Sequence, residues 1–245
     1  MFRNSFVRLV LIAVLGATLL APGRSSAQTD TTETAPPQEA GLPVYKPPPR
    51  GAPGGRVGGA SRGTVKVSAA NPEIELLAPR DHTGLSLDPA PILYYFVSAP
   101  VRWPTRFTIS APARPTPVLE ANIPPPAIAG VHALAVADYP VRLQPGIVYT
   151  WSVSAIVDST APARDIVASA SLLVAGPDPA LAGAARSATA TQRAVLFARS
   201  GYWYDAVAAA AAAEPFDRHA ALDALMAEAG LAAPADYDRR SARFR

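Results

Sequence analysis

Short apolar runs alternate with polar breaks rich in proline and glycine through the middle of the chain. The clearest run spans 147–157, where Tyr149, Trp151 and Val153 alternate with Thr and Ser residues. This period of two predicts a strand with one buried face. Seven such runs predict a β-sandwich over residues 73–176. The predicted strands are 73–78, 92–98, 105–110, 116–121, 131–137, 147–157 and 165–174.

The last but one of these strands begins with a distinctive turn, Leu143-Gln-Pro-Gly-Ile-Val-Tyr149. It resembles the tyrosine corner of fibronectin-type and immunoglobulin-like sandwiches, in which a Tyr hydroxyl bonds to upstream backbone. We therefore expect a fibronectin-III or immunoglobulin-like β-sandwich. We also expect Tyr149 to be buried, with its hydroxyl bonded to backbone within residues 141–146.

Residues 187–231 change to a helical period. Thr189 and Gln192 have the spacing of a capping box, which marks the start of a helix. The stretch Gly201-Tyr-Trp-Tyr-Asp-Ala resembles the turn between paired helices of a tetratricopeptide repeat, with Trp203 in the core. We expect a tetratricopeptide-like helical hairpin plus one helix, followed by a frayed polar tail over residues 232–245.

The N-terminal residues have the pattern of a secretory signal peptide. Arg3 and Arg8 precede an apolar stretch that is too short to span a bilayer, and small residues lead up to Ala27. We predict cleavage after Ala27, a periplasmic or extracellular location, and no membrane span in the mature chain.

Residues 28–72 contain few apolar side chains and many Pro and Gly residues, as in "KPPPRGAPGGRVGGASRGT". Such a composition cannot offset the entropy of ordering, so a disordered basic tether is expected. A nucleotide-binding loop would need a Lys where Ala60 stands. Arg50, Arg56 and Arg62 are candidate contacts to an anionic surface.

The amino-acid composition excludes several classes of partner and of catalytic chemistry. Removing the three Arg residues of the signal from the 22 basic residues leaves 19, which equal the 19 acidic residues, so no nucleic-acid partner is expected. The absence of Cys excludes a lipid-anchored Cys, disulfides and thiol catalysis. The three His residues lie far apart in the sequence, so no metal and no cofactor are expected.

Two clusters carry the remaining candidate chemistry. Asp81, His82 and Ser86 lie close together in "DHTGLSLD", which keeps a hydrolase as the least favoured hypothesis. A turn between two strands is the favoured interpretation, and no catalytic residue is assigned. Tyr202 and Tyr204 flank Trp203 and are candidate exposed platforms for a sugar or a protein, although packing in the core or between the helices and the sandwich is the favoured interpretation.

The order of these features resembles the family known as domain of unknown function 928, which is found in bacterial envelope proteins. The stretches that carry the resemblance are "YKPPPRGAPGGRVGGASRG", "LLAPRDHTGLSLDPAPILYYFV", "LQPGIVYTWSVSAIV" and "ARSGYWYDAVAAA". The family name implies no activity. We expect a non-enzymatic envelope interaction or scaffolding module that binds another envelope protein, with a glycan- or lipopolysaccharide-binding module as the alternative.

Overall fold

Nine strands in two sheets make up the first part of the fold in the computed structural model, which describes residues 41–48, 56–57, 71–112 and 114–242. Each of the seven predicted apolar runs overlaps one of these strands, so the sheet-rich prediction is confirmed. The strands are β1 (Arg56–Val57), β2 (Ile74–Leu76), β3 (Gly84–Ser86), β4 (Ile92–Val97), β5 (Thr105–Ser110), β6 (Leu119–Ile123), β7 (Gly130–Ala135), β8 (Val148–Ala155) and β9 (Ile166–Val174).

The larger sheet has the order β6-β5-β8-β9, and the outer edge of β9 pairs with both β1 and β3. The smaller sheet has the order β2-β4-β7. All pairs are antiparallel except β3 with β9. The sequence did not predict β1 or β3, because two- and three-residue strands depend on the partner strand rather than on a local apolar pattern.

The predicted alternation in β8 is confirmed, since Tyr149, Trp151 and Val153 are all buried in the core. The hydroxyl of Tyr149 accepts a hydrogen bond from the backbone N–H of Gln144 at 2.9 Å. This contact is the predicted bond from Tyr149 to the preceding turn.

Five helices follow the sheets among the described residues. The Thr189–Gln192 capping box is present, with both reciprocal bonds formed. The first helix was not predicted, although Asp178 accepts from the N–H of Leu181 and Pro179 follows it, which is a typical helix start. The helices are α1 (Pro179–Ser187), α2 (Ala190–Arg199), α3 (Trp203–Ala211), α4 (Pro215–Glu228) and α5 (Ala232–Ala242).

The expectation of a frayed tail after residue 231 is wrong for residues 232–242, which form α5. The Tyr237 ring meets Phe96 edge-on at 5.5 Å, and its hydroxyl donates to the carbonyl of Ala129 at 2.8 Å. Ala235 is also buried. A few inward-facing residues thus hold a helix whose composition is otherwise polar. No described helix combines the length and apolarity needed to cross a bilayer.

Helix α3 packs directly into the sandwich. The indole N–H of Trp203 donates to the carbonyl of Leu77 at 2.8 Å, and the indole N–H of Trp151 donates to the Tyr204 hydroxyl at 2.9 Å. A Cβ on Gly84 would lie 2.7 Å from the Tyr204 ring, so β3 approaches α3 more closely than any larger residue allows. The sheets and helices therefore share one core.

The predicted tether is ordered where the structure describes it. Tyr45 is only 6% exposed, and the backbone N–H of Lys46 donates to the carbonyl of Ala198 at 3.0 Å. Gly201 has φ +82°, and a Cβ there would lie 3.1 Å from the Lys46 carbonyl. We call residues 41–48 the strap. Disorder was predicted from a scarcity of apolar residues, yet one buried Tyr anchors this segment. The rest of the predicted tether, apart from 56–57 and 71–72, and the predicted signal peptide lie outside the described residues.

Candidate binding cleft

A cleft of about 290 Å³ opens where three distant parts of the chain meet. The strap contributes Tyr45 and Pro47, and the segment between β2 and β3 contributes residues 79–82. The end of α4 and the turn after it contribute residues 228–230. We call it the seam cleft. It lies between the strap, the sandwich and the helices, so its shape depends on all three.

The Tyr45 ring forms the inner wall of the seam cleft. It stacks on the His82 imidazole at 5.6 Å, with 10° between the planes, and meets the Trp203 ring edge-on at 4.9 Å. Burial raises the pKa of the Tyr45 hydroxyl, and the negative charge of Asp81 raises it further. Tyr45 is therefore a protonated hydrogen-bond donor rather than an activated nucleophile.

His82 connects this wall to the solvent-facing rim. Its Nε2 atom lies 2.8 Å from the Tyr45 hydroxyl, and its Nδ1 atom lies 2.8 Å from Oδ1 of Asp81. The bond to His82 lowers the pKa of Asp81, so Asp81 is a carboxylate that accepts. With a donor at Nε2 and an acceptor at Nδ1, both bonds form with a neutral imidazole that carries its proton on Nδ1. The side chain of His82 is 14% exposed and that of Asp81 is 86% exposed.

Arg80 and Glu228 add opposite charges to the rim. Nη2 of Arg80 donates to the carbonyl of Gly230 at 3.3 Å, which ties the β2–β3 segment to the α4–α5 turn. Glu228 is exposed at the end of α4. Neither side chain forms an ion pair with another residue in the described part of the chain. Among the described residues, both charges are therefore without an ionic partner.

The structure separates the residues on which the hydrolase hypothesis depends. Ser86 lies in β3 with no exposed surface, and its hydroxyl is bonded to both the N–H and the carbonyl of Asp88. His82 and Asp81 face the seam cleft instead. Ser86 is thus inaccessible as a nucleophile. Within the described ranges, no three His, Cys, Asp or Glu side chains are grouped to hold a metal ion.

The predicted binding residues do not come together in the described structure. Arg50 and Arg62 lie outside the described residues, and Arg56 is described only as part of β1, where its backbone pairs with Ala170. Tyr202 is half-buried against the core. Tyr204 is not an exposed platform, because its side chain is 1% exposed and its hydroxyl bonds within the core, as the favoured interpretation of core packing has it.

The sequence did not predict that Tyr45, Arg80 and Glu228 line the same cleft. Tyr45 and His82 are 37 positions apart, and Arg80 and Gly230 are 150 apart, so no local spacing reports the cleft. A single large aromatic in the otherwise apolar-poor "YKPPPRG" stretch was the available signal.

A family model described as Domain of Unknown Function (DUF928) matches residues 57–236, which is most of the chain. The chain belongs to this family. Comparison with curated proteins and with solved structures gives no significant match. Membership of DUF928 confirms the resemblance seen in the sequence, and the match includes the cleft residues of the sandwich and of the helices but not the strap.

Proposed function

We propose that the protein is an exported, non-enzymatic binding module that recognises another component of the cell envelope at the seam cleft. One observation carries the proposal. Arg80 and Glu228 lie at the rim of the cleft without ion-pair partners among the described residues, whereas the Ser86 hydroxyl is buried in the core. A site built this way offers recognition groups without an accessible Ser nucleophile.

Export is supported by the N-terminal sequence pattern. A basic start, a short apolar stretch and small residues before Gln28 are typical of a signal that is removed. The chain lacks Cys, so the fold does not depend on the oxidation state of thiols in either compartment. An exported module of this kind would meet its partner in the envelope.

We also propose that the sandwich is of the fibronectin-III type. The sheet β2-β4-β7 faces the sheet β6-β5-β8-β9, an order that corresponds to strands A-B-E facing strands C′-C-F-G. The Tyr149 contact at the start of β8 supports the same assignment, because the tyrosine corner belongs to strand F.

The pair α2–α3 supports a tetratricopeptide-like hairpin. Gly201 turns the chain with φ +82°, and Trp203 and Ala206 are fully buried behind it. Asp205 faces the backbone N–H of Leu87 in the sandwich rather than a neighbouring repeat. In this proposal the sandwich takes the place of the missing repeats, which a short helical array needs for stability.

The experiment is retention of envelope components on the immobilised protein. We expect wild type and Glu214→Ala to retain the same component, and Glu228→Ala to lose it. Glu214 is an exposed Glu at the opposite end of α4 and serves as the matched control. Equal retention by Glu228→Ala would remove the seam cleft as the binding site.

A further inference from the structure

Charges of both signs line the seam cleft in near balance. Arg80 is set against the carboxylates of Asp81 and Glu228, and His82 sits between Asp81 and Tyr45. A cationic ligand would meet Arg80, and an anionic ligand would meet two carboxylates. Like charges that meet at an interface repel each other and so weaken the binding of a partner with the wrong charge. The arrangement therefore favours a ligand without net charge.

The hydrogen-bonding groups of the cleft call for a ligand that both donates and accepts. A guanidinium group has five N–H donors, and the described structure uses one of those of Arg80, on the Gly230 carbonyl. Asp81 accepts from His82 through Oδ1, and its side chain is 86% exposed. Glu228 supplies a second carboxylate. Each hydroxyl of a sugar can donate to a carboxylate and accept from a guanidinium.

The walls and the size of the cleft suit a small ring rather than a folded segment. Pro47 and Pro79 carry no N–H and add hydrocarbon to the lining, together with the Tyr45 ring. The volume of about 290 Å³ is just below the usual range of ligand pockets, about 300 to 1,000 Å³. One or two sugar residues correspond to this size, whereas a docked helix needs a longer groove.

We propose that the seam cleft binds a neutral, hydroxyl-rich saccharide unit, with Arg80, Asp81 and Glu228 as the polar contacts and the two prolines as the apolar walls. This inference rests on the proposed binding function and specifies its ligand. The site differs from the expected glycan site at the basic stretch and at Tyr202 and Tyr204, because Tyr204 is closed to solvent.

The direct test titrates the full-length purified protein with maltose, cellobiose and N,N′-diacetylchitobiose and follows amide shifts by NMR. We expect saturable shifts at the cleft residues with at least one of these sugars. Glu228→Ala should weaken that binding about tenfold, the factor expected for losing a hydrogen bond to a charged group, and Glu214→Ala should leave it unchanged. Raising NaCl from 50 to 500 mM should change the affinity less than twofold, since a neutral ligand has no charge to screen.

Two results would overturn the saccharide: no saturable shift with any of the three sugars, or equal binding by Glu228→Ala. A separate measurement tests the saccharide ligand independently of the proposed binding function. Envelope material is treated with protease or with a glycan-cleaving treatment before the retention experiment. The glycan-cleaving treatment combines periodate, which cleaves vicinal diols, with lysozyme, which cleaves 4-linked N-acetylhexosamine chains that lack them. Loss of retention after the glycan-cleaving treatment alone supports the saccharide. Loss after protease alone, with retention still dependent on Glu228, shows a protein partner and defeats the saccharide while leaving the binding module intact.

Discussion

Two hydrogen-bonded chains of opposite character lie where the helices, the strap and the sandwich meet. The inner chain joins the Trp151 indole to the Tyr204 hydroxyl, and both side chains are closed to solvent. The outer chain runs from the Tyr45 hydroxyl through His82 to Asp81, and it ends in open solvent. Both chains include a Tyr hydroxyl, but only the outer chain ends at an exposed charged group, the carboxylate of Asp81.

This contrast indicates that the inner chain stabilises the fold, whereas the outer chain supplies groups that can bind a ligand. In the inner chain the Trp151 indole and the Tyr204 hydroxyl are paired and buried, so each bond is worth more and its loss leaves an unpaired buried group. In the outer chain the terminal carboxylate can exchange its partners with water at little cost. A rigid inner seam thus holds the shape of an outer cleft whose groups stay available.

The largest effect is expected at the residue between the two chains. Trp203 is fully buried, touches the Tyr45 ring and donates to the Leu77 carbonyl. Trp203→Ala should lower the free energy of unfolding by about 3–5 kcal/mol, because it leaves a large cavity and an unpaired carbonyl. Urea unfolding measures the loss. Phe216→Ala is the control, since Phe216 is 86% exposed and should change little.

A small loss in Trp203→Ala would contradict the shared core. If the helices melted in a separate early transition while the sheets stayed folded, the seam would not join them cooperatively. Circular dichroism at a helix-sensitive wavelength, compared with fluorescence from the remaining Trp residues, distinguishes one transition from two.

The second prediction concerns Asp205, which bonds the Leu87 N–H beside the inner chain. Burial raises its pKa to about 6, although the Leu87 bond lowers it in part. The folded protein therefore holds a proton that the unfolded chain releases near pH 3.8, so this group's contribution is full below about pH 3.8 and is lost as pH rises towards about 6. The loss is on the order of 3 kcal/mol.

Asp205→Asn should remove this part of the pH dependence. The stability difference between wild type and the variant should change by up to the same amount from pH 4 to pH 6.5, with wild type relatively more stable at the acidic end. Asp138→Asn alters an exposed carboxyl and provides the control. A constant difference across this range would show that Asp205 is not desolvated.

The third prediction measures how much the Tyr204 hydroxyl contributes to stability, apart from the packing of its ring. Tyr204→Phe keeps the packing but removes the acceptor of the Trp151 N–H and the donor to the Ser171 carbonyl. Unpaired buried groups cost about 1–3 kcal/mol, and we expect a loss in that range. Tyr202→Phe is matched to it, because the Tyr202 hydroxyl has no hydrogen bond with the described residues. Equal losses in the two variants would show that the inner bonds add nothing specific.

Much of the sandwich could be predicted from the sequence, because its signals are local. Alternation located β8, and the turn before Tyr149 located the bond to Gln144. The strands β1 and β3 left no such signal, since their order comes from pairing with β9. The polar composition of α5 concealed its docking, which depends chiefly on Tyr237.

The cleft could not be predicted, for a related reason. Tyr45 lies in a stretch whose average composition indicates disorder, and averages do not report one well-placed aromatic. Exposure of Tyr204 stayed an open alternative because the repeat pattern assigns only Trp203 to the helix pair, whereas in the structure Trp203 and Tyr204 are both buried, where α3 packs on the sandwich. Contacts across 37 to 150 positions become visible only when the fold brings them together.

The smallest effect should come from the outer hydroxyl, and it completes the comparison. Tyr45→Phe keeps the ring between His82 and Trp203 and removes only the bond to His82 Nε2. The imidazole can turn its free nitrogen to water at the cleft, so the free energy of unfolding should fall by less than about 1 kcal/mol. Urea unfolding beside Tyr204→Phe gives the contrast under one condition. If Tyr45→Phe lost as much as Tyr204→Phe, the outer chain would be as closed as the inner one, and the seam cleft would be a structural joint rather than a binding site.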